Sequence, residues 1–136
     1  MWIEVEIILR LILAFVLGGI VGYQRERSGK EAGIRTNVLI CLGAALFTVI
    51  SIYGFAGSDP ARIAAGVVTG IGFIGAGLIL HRAGGHVAGL TTAATAWAVA
   101  GIGVAAGAGL YLISAAATVL IFLVLLIPHL HHTSKE

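Results

Sequence analysis

Apolar residues run through this chain in long blocks, and short polar stretches separate them. A block of about 20 apolar residues coiled as an α-helix crosses the ~30 Å hydrocarbon layer of a bilayer. The blocks predict helices near residues 3–23, 36–55, 63–80, 90–106 and 110–127. The last two come from one run, residues 87–127, that holds no Asp, Glu, Lys or Arg. As a single helix that run would extend about 60 Å, twice the layer, so it must fold back on itself. Gly107-Ala108-Gly109 supplies the turn.

The polar stretches mark the connections. Residues 24–35 carry Arg25, Arg27, Lys30 and Arg35 against Glu26 and Glu31, the one dense charge cluster, and Thr36 is placed to cap the helix that follows. Gly57-Ser58-Asp59-Pro60 reads as a turn into the third helix. A loop around 81–88 has Arg82 as its one full charge, and Pro128 closes the membrane domain (1–128) before a tail, 129–136. Arg10 lies inside the first helix, where pairing with Glu6 at i,i+4 and snorkelling to the near interface is the favoured reading over a functional intramembrane charge.

Glycine punctuates the apolar blocks. Gly18/Gly22, Gly66/Gly70 and Gly103/Gly107 each stand four apart, and Gly72, Gly75 and Gly77 continue the third helix. In lipid such pairs let helix backbones approach closely, so these are read as packing residues. Gly70-x-Gly72-x-x-Gly75 also matches the spacing of a dinucleotide loop, but no strand–turn–helix context flanks it and that reading is rejected.

Composition agrees with an all-α, polytopic membrane protein of five transmembrane helices. The chain has 136 residues, 59% hydrophobic and 10% charged, against about 25% charged in soluble domains. A net charge of +2 without a basic face excludes a nucleic-acid footprint. Glu4 and Glu6 precede the first apolar block, which argues against a cleaved secretory leader, so the first helix is expected to stay. The positive-inside rule puts the 25–35 segment, Arg82 and Lys135 in the cytoplasm, with the amino terminus outside. Trp2, Tyr23, Tyr53 and Tyr111 fit interfacial belts, whereas Trp97 and the lone Cys41 read as packing residues.

A register shift of 56 residues lays Gly19 on Gly75, Gly33 on Gly89 and Thr36 on Thr92. Each copy would be a helical hairpin around a cytoplasmic connection. Tandem duplication and chance matching of Gly and Ala both account for the pattern.

No nucleophile with an oriented base and no cluster of His, Cys and carboxylates appears in the spans, so neither an enzyme nor a bound cofactor or metal is expected. The candidate site is cytoplasmic. Thr36 and Thr91 or Thr92 begin two helices whose positive dipole ends would face Arg25, Arg35 and Arg82, with Glu26 in the same cluster. Such a place suits an anionic lipid headgroup, a phosphate ligand or an acidic partner. The competing reading is that the threonines only cap and the arginines only set orientation.

Gly33-Ile34-Arg35-Thr36-Asn37, the glycine run 70–77, Gly89-Leu90-Thr91-Thr92-Ala93-Ala94, Trp97 and Gly101-Ile102-Gly103 together resemble the MgtC/SapB membrane proteins, in one order from about Gly18 to Gly109. The resemblance implies a bacterial inner-membrane protein linked to growth in low magnesium and, in pathogens, to survival inside host cells. It implies a non-enzymatic regulator acting through membrane partners, the F-type ATP synthase among them, instead of outright transport. Three departures stand out. The family often has Glu where Gln24 stands and Arg where Ala88 stands, and some members have Asn in place of Thr91. Many members add a cytoplasmic ACT-like domain after the last helix, and this chain stops without one. Two functions are therefore expected to compete: a regulator that packs its small-residue faces against a second copy or another membrane protein, and a transporter or channel for Mg2+ or another small solute.

Overall fold

The computed structural model describes residues 1–82 and 86–129, with backbone alone at 80–82 and 86. Its elements are α1 (Trp2–Arg27), α2 (Ile34–Tyr53), α3 (Ala61–Leu78), β1 (Leu80–Arg82), β2 (His86–Ala88), α4 (Leu90–Gly107) and α5 (Tyr111–Leu125). α1 to α4 are each long and apolar enough to cross a membrane. The five helices are those expected, and α5, at 15 residues, is apolar but shorter than the other four.

Two boundaries matter for the site. α1 continues past Tyr23 to Arg27, so Gln24, Arg25 and Glu26 ride on its last turn. Gln, Arg and Glu are good helix formers, and basic residues there complement the negative end of the helix dipole. α3 stops at Leu78, and the expected loop at 81–88 contains a two-stranded antiparallel ribbon with Leu80 opposite Ala88 and Arg82 opposite His86. The fold is all-α as expected, and this short ribbon is confined to the loop between α3 and α4.

The helices alternate in direction. α1 and α2 are joined at one end by the 28–33 connection, and α3 starts at the other end, where the Ser51 hydroxyl donates to the Pro60 carbonyl at 3.2 Å. α4 lies in the middle. One core cluster joins Ala14, Leu17 and Val21 of α1 with Cys41 and Ala45 of α2 and Val99, Ile102 and Ala106 of α4. A smaller one joins Ala44, Ile71, Ala96 and Ala100. The interior combines Ala, Gly and Cys with a few Val, Leu and Ile side chains, while many large apolar ones face out, as at Phe73 (82% exposed) and Leu112. Arg10, Arg25, Asn37, Ser51 and Ser114 are buried among them, while the exposed apolar side chains suit a lipid surround. Thr48, Thr95 and Thr118 donate to the carbonyl four residues earlier, which satisfies each hydroxyl within its own helix.

Four of the expected glycines form tight seams. A β-carbon at Gly18 would stand 2.7 Å from Cys41 Cβ, and one at Gly22 would stand 2.6 Å from Ile34 Cα, so α1 lies almost backbone to backbone on α2. Gly103 and Gly107 bring α4 equally close to α2 at Cys41, Ala44 and Ala45. Gly66, Gly70, Gly72 and Gly77 of α3 meet nothing within 4 Å, and Gly75 makes only an ordinary contact with Ala93.

Candidate functional site

The charged end of the bundle is built where α1 and α5 finish and α2 and α4 begin. Arg25, only 4% exposed, reaches α4 and donates from Nη2 to the Thr92 hydroxyl and, at 3.5 Å, to the Glu31 carbonyl. Its Nε is closed off from solvent and has no hydrogen-bond partner among the described residues. Glu26 accepts the Ile34 amide N–H at 2.9 Å on Oε2, so a side chain from α1 satisfies the first turn of α2. Asn37, fully buried, donates to the carbonyls of Ala32 (2.6 Å) and Gly33 (2.9 Å) and locks the turn before α2.

The expected threonine caps are corrected. Gly33 is the N-cap of α2 and Gly89 that of α4, neither start has a side-chain cap bond, and Thr36 falls inside the first turn. Gly89 sits at φ 94°, where a β-carbon would strike the Leu78 carbonyl, so a bare backbone wins over a capping hydroxyl. Thr92 is buried and serves Arg25, whereas Thr91 is exposed. Arg35 is exposed and Thr36 half-buried at the start of α2, and neither lines the Arg25 cavity. The Arg82 side chain lies outside the described residues.

Gln24 was not among the expected site residues. Its Nε2 donates to the Ser28 hydroxyl and the Leu125 carbonyl, both at 3.2 Å, and its Oε1 is buried without a partner among the described residues. A cavity of about 510 Å³ opens beside it, walled by Arg25, Lys30 and Thr91 on one side and by Val124 to Ile127 on the other. The signal in the sequence is one uncharged polar residue at the foot of α1, visible only once α5 is known to end against it.

A second polar cluster sits at the opposite end. Arg10, 7% exposed, pairs with Glu6, donates to the Gly107 carbonyl at 3.0 Å and to the Tyr111 hydroxyl at 3.4 Å, and lies 5.6 Å from the centre of the Tyr53 ring. The pairing with Glu6 is as expected. The guanidinium also packs onto the α4–α5 turn. Among the described residues no group of three His, Cys, Asp or Glu side chains is placed to hold a metal ion.

The sequence profile of the MgtC family matches residues 11–133. YhiD of Escherichia coli strain K12, named as a candidate magnesium transporter, is 50% identical over 132 residues, covering 91% of this chain and 61% of its own. Protein MgtC of Brucella abortus strain 2308 is 50% identical over 111 residues, covering 82% of this chain and 46% of its own. An uncharacterized protein of Haemophilus influenzae is 43% identical over 121 residues, covering 82% and 51%. The chain thus spans about half to three-fifths the length of these relatives. No solved structure matches. A profile match across nearly the whole chain, with half-identical relatives, establishes that this multi-pass membrane protein belongs to the MgtC family.

Proposed function

We propose that this chain is a non-enzymatic regulator of adaptation to low magnesium in the bacterial inner membrane, acting through helix contacts with a second copy or with another membrane protein. The resemblance drawn from the motifs makes the F-type ATP synthase one such partner. The Arg25 end lies in the cytoplasm in this reading, as the positive-inside rule requires. The observation that carries the proposal is the state of α3. Ile71 is its one buried residue, and Gly66 and Gly70 stand open to the surroundings on a helix whose polar side chains are Arg62 and Thr69 alone. Open glycines four apart allow a foreign helix the close approach that Gly18 and Gly22 allow α2.

The test is growth of a strain lacking its own family member in low magnesium, complemented by this chain or by Gly70→Leu. Rescue by the wild type, loss with Gly70→Leu at equal membrane abundance, and no Mg2+ flux in proteoliposomes are the expected results. A second reading, transport, is favoured by the name of the E. coli relative. Mg2+ flux in proteoliposomes that survives Gly70→Leu would replace the first reading with the second.

A further inference from the structure

We infer that the open side of α3 is the interface of a symmetric dimer, in which α3 of a second copy lies parallel along the groove between α2 and α3. The inference rests on the reading of α3 as a docking face and names the partner as this same chain. The helical period puts Arg62, Gly66, Thr69, Gly70, Phe73 and Gly77 on one side of α3, and all six are exposed. Beside them an apolar groove of about 590 Å³ separates α3 from α2, with Leu39, Gly43 and Phe47 on the α2 wall and buried Ala100 of α4 at its floor. Phe73, 82% exposed, projects from the same side. A face that carries both a knob and a hollow is complementary to itself, which an isologous contact requires.

Charge selects the occupant. Arg62 is the one charged residue lining the groove, and Asp59 stands three residues before it at the entrance to α3, where its Oδ1 accepts the Ala61 amide N–H at 3.0 Å. Both side chains are exposed, and the ion pairs among the described residues are Met1–Glu4 and Arg10–Glu6, so neither is paired within the chain. Copies inserted by the same charge rule share one orientation, so the axis relating two of them runs along the membrane normal and their α3 helices are parallel. Residues 59–62 of both copies then lie at one depth. Arg62 meets the partner's Asp59, and Asp59 meets the partner's Arg62. Further along, the partner's Phe73 enters the groove at the level of Gly70, and the same contact repeats in reverse across the axis. A second copy is the partner whose matching charges stand at the matching depth by symmetry alone.

The test is oxidative crosslinking of the full chain in native membranes, with Cys41→Ala as the background and one cysteine added at a time. Thr69→Cys should form a disulfide with its own counterpart, because a parallel pair brings equal positions within the Cα separation of about 7 Å that a disulfide tolerates. Leu112→Cys, 83% exposed on α5, should not. Asp59→Arg or Arg62→Asp alone should weaken dimerisation about fivefold, read by energy transfer between labelled copies in vesicles, and the double swap should restore it. A disulfide at Leu112→Cys in place of Thr69→Cys, or no recovery in the double swap, would overturn the inference. So would a monomer at every protein-to-lipid ratio. In that case, loss of growth rescue by Gly70→Leu would keep α3 as a docking face for another membrane protein, and retained rescue would leave the face to lipid.

Discussion

Gly103 and Gly70 belong to pairs with the same four-residue spacing, yet an added methyl group should act on them in opposite directions. At Gly103 a β-carbon would stand 2.8 Å from Ala44 Cβ, 3.0 Å from the Cys41 carbonyl carbon and closer still to the Cys41 oxygen. Ordinary carbon contacts lie at about 3.5–4.0 Å, so α2 and α4 must part by roughly 1 Å along the main core. Overpacking of this kind costs about 1–3 kcal/mol. Against it stands the gain of about 1 kcal/mol for Ala over Gly in a helix, which Gly70→Ala obtains without any clash. The propensity gain is common to both variants, so their difference isolates the packing cost: about 1–3 kcal/mol, or roughly a five- to hundredfold change in the folding equilibrium. Reversible unfolding in monomeric detergent micelles, followed by far-UV circular dichroism, measures it. Gly103→Ala should unfold earlier than wild type and Gly70→Ala at the same point or later. Equal midpoints would refute the assignment of α4's glycines to an internal seam and of α3's to an open face.

Three further substitutions probe the buried cations. Arg10→Met should cost about 2–4 kcal/mol in the same assay, because the Gly107 carbonyl and Tyr111 hydroxyl lose their donor, whereas Glu6→Gln, at a half-exposed carboxylate, should shift the midpoint far less. Thr92→Val keeps the shape but removes the acceptor for Arg25, an expected loss of about 1–3 kcal/mol; an unchanged midpoint would show that this contact contributes nothing to stability.

Apolar block length was enough to read the helices, because lipid leaves the backbone no alternative. Much of the site depended on tertiary contacts that no local pattern records. Gly18/Gly22 and Gly66/Gly70 look alike along the chain, and only the α2 backbone opposite the first pair separates them. Thr36 and Thr92 have the chemistry of caps, yet the close pass of Leu78 makes Gly89 the residue that fits at the start of α4. Arg10 reads as an interfacial charge until the turn after α4, 97 residues away, supplies its carbonyl partner. The ribbon at 80–88 was hidden because Leu80 and Val87 prolong the neighbouring apolar blocks.

α5 is fastened to α1 at both ends, at Arg10 through Tyr111 and at Gln24 through the Leu125 carbonyl. The two helices therefore run side by side in the same direction, and the stretch between the fastenings is about 21 Å at 1.5 Å per residue. That is about 9 Å less than an average hydrocarbon layer. Beyond the first fastening α1 carries exposed Ile3, Val5, Ile8 and Leu9, so on this flank its own apolar face makes up the thickness that the shorter α5 leaves.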